Sequence, residues 1–192
     1  ARYNFEGEYF FLPNQFWAHK NHQVVIDALS ILKKNGIQAT VLATGDFTDY
    51  RQPNHFSELL SKVSQLGVSD AFRPLGVVPY VDLLSLMHHS LAVINPSMFE
   101  GWSTTVEEAK ALNKAVILSN IPVHLEQCPA RPMFFEPQDP LALSRLMQEM
   151  LNRKPIHSTA EEQDGFTLSS TYPRDRLKFA SDFQEIVLRL AR

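Results

Sequence analysis

Cysteine is nearly absent from this chain: Cys128 is the only one in 192 residues. That excludes an internal disulfide, leaves too few ligands for a cysteine-based zinc site, and fits a reducing cytoplasm best. No apolar run approaches the roughly 20 residues that cross a bilayer, so no transmembrane segment is expected. The opening Ala1-Arg-Tyr-Asn-Phe-Glu6 lacks signal-peptide features and does not begin with Met, as expected of a piece of a longer protein. The seven glycines nowhere form Gly-x-Gly-x-x-Gly, which argues against a dinucleotide oxidoreductase. Basic residues form no block and the net charge is −3, so neither nucleic acid nor a basic membrane-docking face is implied.

What is present suffices for a sizeable core. With 44% hydrophobic residues the chain reads as one domain. Apolar or β-branched runs at 9–13, 40–44, 71–75, 91–95, 115–119 and 133–135 read as strands buried on both faces of a parallel sheet. Between them, 21–35 carries Val24, Val25, Ala28, Leu29 and Leu32 at helical spacing and stops at Gly36, a left-handed cap. Segments 56–66, 81–89, 105–112 and 141–151 read as further helices, with a short one around His124. Alternation of this kind predicts an α/β class, a Rossmann-like doubly wound parallel sheet of about six strands flanked by helices. The core spans about 7–151, followed by a polar connection over 152–173 and an apolar-faced terminal helix over 174–192.

In such a sheet ligands bind beyond the carboxyl ends of the strands, where Gln15, Lys20, Gly45, Gly76 and Glu100 all fall. The segment from Leu91 to Leu112 runs an apolar strand through a Pro/Ser/Gly loop directly into a helix. A helix start offers unpaired N–H groups and partial positive charge to a phosphate, while Glu100 and Glu108 offer carboxylates to hydroxyls. A sugar joined to a nucleoside diphosphate carries both kinds of group.

Pro96-Ser97, Glu100-Gly101 and then Glu108-Ala109 after seven intervening residues resemble the Glu-x7-Glu motif of retaining family 4 glycosyltransferases, which have the GT-B fold. The resemblance implies that Glu100 lies beside the donor sugar, that Glu108 binds the ribose, and that the backbone of Gly101, Trp102, Ser103 and Thr104 approaches sugar and diphosphate. The stretch from Phe11 to His22 resembles the first loop of the same domain, where an Arg and a Lys hold the phosphates. Lys20 matches the Lys; the Arg position holds Gln15, a neutral amide. Gly76-Val77-Val78-Pro79 resembles the loop near the nucleobase and brings Val78 into the expected site, although an ordinary turn ended by Pro79 is an equal reading.

The resemblance thus implies a C-terminal, donor-binding half of a hexosyltransferase-type enzyme in polysaccharide or glycoconjugate synthesis. Its partners are a nucleoside diphosphate sugar and an N-terminal acceptor-binding domain of the same protein. No cofactor and no metal are implied, and the location is cytoplasmic or peripheral at a membrane. Glu100 and Lys20 carry the catalytic roles. A non-catalytic nucleotide-binding or assembly domain is the rival, with Gln15 its best support.

Several residues have structural readings as well. Thr104 and Glu107 have the spacing of a capping box, which gives Glu107 a local task and leaves it second to Glu108 for ribose. Lys20 in the first turn of a helix opposes the dipole unless an anion completes it. His19 and His22 lack a third ligand nearby for a metal. Phe16 and Trp17 read as packing residues, and Trp102 as a possible wall of the sugar pocket.

Overall fold

The runs of Phe, Leu, Val and Ile become six short strands because their side chains pack on both faces of the backbone ladder. A computed structural model describes residues 3, 5–127, 129 and 132–152. The strands are β1 (Phe10–Pro13), β2 (Val41–Thr44), β3 (Phe72–Gly76), β4 (Val93–Asn95), β5 (Val116–Ser119) and β6 (Pro132–Phe135). All pair in parallel, in the order β3-β2-β1-β4-β5-β6. The order reverses between β1 and β4, the point at which doubly wound sheets open a crevice.

The helices are α1 (His22–Lys34), α2 (His55–Gln65), α3 (Tyr80–His89), α4 (Thr104–Ala111), α5 (Pro122–Gln127) and α6 (Pro140–Asn152). Alternation along β1 divides the core. Phe10 and Leu12 join α1, α2 and α6 on one face. Tyr9 and Phe11 join Met87 of α3 and Val106 and Ala109 of α4 on the other. Every predicted element within the described residues is present, with ends displaced by a residue or two. The expected connection and terminal helix lie, from residue 153 onward, outside the described residues.

Gly36 ends α1 at φ +73°, the left-handed conformation expected of it. Gly45, after β2, is required for a different reason. Its φ is +144°, and a Cβ there would stand 2.5 Å from the Asn14 carbonyl oxygen. The absence of a side chain lets the loop after β2 press directly against the loop after β1.

A cavity of about 390 Å³ opens at the amino edge of the sheet, between Lys33 at the end of α1 and Val68 after α2. It is at the wrong end for the predicted site, whose residues all follow strands, and the polar networks described next lie at the carboxyl edge.

Candidate functional site

Lys20 lies in a single 3-10 turn, Ala18–Lys20, between β1 and α1. The turn can pass into α1 because Asn21 takes φ +56°, a left-handed conformation that Asn tolerates better than most residues. Asn21 then donates through Nδ2 to the carbonyls of Pro96 (3.1 Å) and Pro137 (2.7 Å), fastening the β1 loop to those after β4 and β6. The Met98 N–H donates to the His19 carbonyl at 2.8 Å. Asn14 Nδ2 donates to Asn95 Oδ1 at 3.0 Å. The two loops at the switch point are thus joined by backbone and side chains before any charge is counted.

Lys20 Nζ and Glu100 Oε1 meet at 2.7 Å, and the Ser97 hydroxyl donates to the same oxygen at 2.7 Å. The side chains are only 14% and 8% exposed, so this ion pair is largely desolvated and held by a third group. The anion that faces Lys20 is therefore Glu100. Lys20 also precedes α1 rather than lying in its first turn, which corrects that expectation.

Beneath the pair runs a buried polar network. Asn95 Oδ1 lies 2.8 Å from Ser97 Oγ, a second acceptor within reach of the one proton that Ser97 shares with Glu100, and Asn95 Nδ2 donates to Ser103 Oγ at 2.9 Å. Ser119 Oγ donates to the Ser97 carbonyl at 2.5 Å. His124 is fully buried with Nδ1 2.9 Å from the Ser119 carbonyl oxygen, and burial lowers its pKa. Its place is structural.

The capping box expected from Thr104 and Glu107 is not formed. Ser103 is the N-cap of α4, with extended backbone, and its Oγ accepts from the Val106 N–H at 3.3 Å. Thr104 becomes the first helical residue. Ser wins because its hydroxyl also receives Asn95 and sits in the buried network, whereas Thr104 is exposed. Glu107 has a local task, as expected, through other partners: Gln127 Nε2 donates to it at 2.9 Å and Lys110 is 3.3 Å away. Gln127 also bonds both backbone groups of Ser103.

Glu108 is half-buried, and desolvation raises its pKa while a hydrogen bond from Tyr80 opposes the rise. Tyr80 opens α3 just after Gly76-Val77-Val78-Pro79, so this bond carries the β3 loop, with Val78, to the side of α4 that bears Glu108. Gly101 and Trp102 are exposed, and a Cβ on Gly101 would meet nothing within 4 Å. Gln15 is exposed, and its Oε1 accepts from the Asp46 N–H, so this amide braces the loop after β2.

That β2 loop supports Lys20 from outside. Phe16 is fully buried as expected, stacked on His22 (4.3 Å) and edge-on to Phe47 and Phe56. Trp17 is only partly buried, contacts the guanidinium of Arg51 at 5.2 Å and donates to the Thr48 carbonyl at 3.2 Å. His19 has its pKa lowered by burial first, then by the charges of Lys20 and Arg51. His22 is buried among aromatics, and burial lowers its pKa to about 3. Asn14, Asn95, Ser119, Tyr80 and Gln127 were not singled out from sequence. For Asn95 and Ser119 a signal existed: each is a polar residue closing an apolar strand at its carboxyl end.

A family model described as Glycosyl transferases group 1 matches residues 4–164. Comparison with curated proteins finds no significant match. Among solved structures, a glycosyltransferase from Rickettsia africae ESF-5 superposes with a TM-score of 0.67 at 24% identity, over 75% of this chain and 37% of that one. Anabaena Alr3699/HepE in complex with UDP gives 0.71 at 17% identity, over 96% and 49%. The C-terminal domain of a glycosyl transferase group 1 family protein, LpcC, from Francisella tularensis gives 0.63 at 21%, over 76% of each chain. The chain thus spans less than half the length of the Rickettsia and Anabaena proteins. At these identities the superpositions establish the fold, a parallel six-stranded sheet shared with GT-B glycosyltransferases. The family rests on the match over most of the sequence, and by it this chain belongs to the Glycosyl transferases group 1 family.

Proposed function

We propose that this chain is the donor-binding, C-terminal domain of a retaining, metal-independent family 4 glycosyltransferase that takes its sugar from a nucleoside diphosphate. The observation that carries this reading is the convergence of Lys20, Glu100 and the start of α4 where the strand order reverses. A UDP complex and a UDP-glucose complex among proteins of the same fold support it. The acceptor is held by a separate N-terminal domain, and the product belongs to polysaccharide or glycoconjugate synthesis.

As the bond from sugar to phosphate breaks, negative charge grows on the leaving diphosphate. Lys20 turns from Glu100 toward that charge, and the N–H groups of Gly101, Trp102 and Thr104 add neutral donors that need no reorganisation. The Ser103 N–H does not join them, because Gln127 holds it. Glu100 keeps its bond to Ser97 and positions the sugar; it is not assigned as a nucleophile. Glu108 accepts the ribose hydroxyls, and Val78 lies beside the base.

Titration of this chain with UDP and with uridine tests the reading. Lys20→Ala is expected to weaken UDP by more than about tenfold and uridine hardly at all. Equal losses for both ligands would reduce Lys20 to a support of the loop. The second reading, a non-catalytic binding domain, draws on Gln15, whose amide oxygen accepts from the Asp46 N–H and which supplies no cation. Failure of the complete protein to hydrolyse or transfer any nucleoside diphosphate sugar would favour it.

A further inference from the structure

Gln127 is 3% exposed and lies on α5, away from every motif that identifies the site. Its planar amide accepts from the Ser103 N–H through Oε1 at 3.3 Å and donates through Nε2 to the Ser103 carbonyl at 2.9 Å. The amide's orientation is dictated by its partners, since an N–H must meet oxygen and a carbonyl must meet nitrogen. Nε2 makes a second bond, to Glu107 Oε1 at 2.9 Å. One side chain therefore grips both backbone groups of the N-cap residue and, with its remaining proton, the carboxylate that adjoins Glu108 in sequence.

This geometry has two consequences for the end of α4. Binding both the N–H and the C=O of one residue restrains the backbone on each side of its Cα, much as a strand partner would. The two peptide planes held are 102–103 and 103–104, so the Thr104 N–H, which shares a plane with the Ser103 carbonyl, has its direction fixed with it. The bond to Glu107 ties the first turn to α5, while Glu108, one residue on and so about 100° further round the helix, meets Tyr80 of α3. Helix pitch sends two adjacent glutamates in different directions, and the buried amide holds one of them.

We infer that Gln127 is a positioning residue for the donor diphosphate: it orients the Thr104 N–H at the start of α4 and, by holding Glu107 against α5, keeps Glu108 on the side of α4 that faces the nucleotide. This rests on the donor-binding reading above. It assigns to α5, which carries no motif residue, control over how well the phosphate cradle is preformed, and it predicts that this control is separable from contacts to base and ribose.

The test uses Gln127→Met, which keeps the volume and removes every hydrogen bond, Gln127→Glu, and Gln127→Glu paired with Glu107→Gln. Hydrogen exchange in the unliganded chain should show the Ser103 amide at least about tenfold faster in Gln127→Met, with β5 amides unchanged. UDP should bind about tenfold more weakly and uridine within about twofold of the parent. Gln127→Glu sets a carboxylate against both Glu107 and the Ser103 carbonyl and should lose at least as much; the paired swap restores a donor between positions 107 and 127 and keeps an acceptor for the Ser103 N–H, though no donor for its carbonyl, and should recover part of the UDP affinity. Unchanged exchange and UDP affinity in Gln127→Met, or equal losses for UDP and uridine, would overturn the inference alone. A parent chain that binds no UDP would overturn the donor reading beneath it, whatever the exchange data showed.

Discussion

Glu100 and Glu108 stand on the same loop and helix, yet their surroundings differ in kind. Glu100 is 8% exposed and balanced by the ammonium of Lys20, with a serine hydroxyl on the same oxygen. Glu108 is answered by the hydroxyl of Tyr80, and burial pushes its pKa above the ordinary carboxylate range. Glu100 is part of the architecture that joins the loop after β1 to the loop after β4. Burial of the Glu108 carboxylate is offset, among the described residues, by a hydroxyl in place of a cation, an arrangement suited to a group that gains partners with a ligand.

The largest test of this contrast removes one charge from the matched pair. Lys20→Ala or Glu100→Gln leaves a desolvated charge without its partner and should lower stability by about 2–3 kcal/mol, measured by urea unfolding. A loss below about 0.5 kcal/mol would class the pair with exposed ion pairs and erase the distinction.

Neutralising Glu108 should act in the opposite direction on the fold. Because its folded pKa is raised, Glu108 contributes stability at acid pH that is lost as pH rises through that pKa. Glu108→Gln should therefore leave Tm at pH 7 unchanged or higher, while weakening UDP by about tenfold through loss of a charged acceptor. A lowered Tm would show that the carboxylate is structural, as in Glu100.

A smaller effect separates Tyr80 from Glu108. Tyr80→Phe removes the hydrogen bond that holds the Glu108 pKa down, so that pKa should rise further. UDP affinity, followed by calorimetry in variant and parent alike, should then begin to fall at a higher pH in Tyr80→Phe. Coincident pH profiles would mean that Glu108 does not titrate with the nucleotide site.

The smallest change in stability is expected at Gly101, where an added Cβ meets nothing within 4 Å and φ is not positive. Gly101→Ala should alter unfolding free energy by less than about 0.5 kcal/mol, and any larger loss of UDP affinity would locate the need for glycine in the ligand.

Much of the fold was legible because its determinants are local. Runs such as Phe10-Phe-Leu12 and Val116-Ile-Leu118 can be satisfied only as strands covered on both faces, and alternation with amphipathic helices then leaves a doubly wound sheet. Lys20, Glu100 and Glu108 were singled out for a different reason, the wording of two loops that resembles a known family, and the structure brings Lys20 and Glu100 into contact. The N-cap was misread because Thr104 and Glu107 satisfy a capping pattern along the chain, whereas Ser103 is chosen by Asn95 from β4 and Gln127 from α5.

By itself the sequence determined the order and type of the elements and the residue types brought to the carboxyl edge of the sheet. These follow from periodicity and short-range sterics, which act within a few residues. Only the tertiary structure decided that Lys20 is already paired with Glu100, that Gln15 turns to Asp46, and that Glu107 and Glu108 part ways toward Gln127 and Tyr80. Hydrogen bonds and ion pairs join groups distant in sequence, and which donor meets which acceptor is set by how the strands and helices pack.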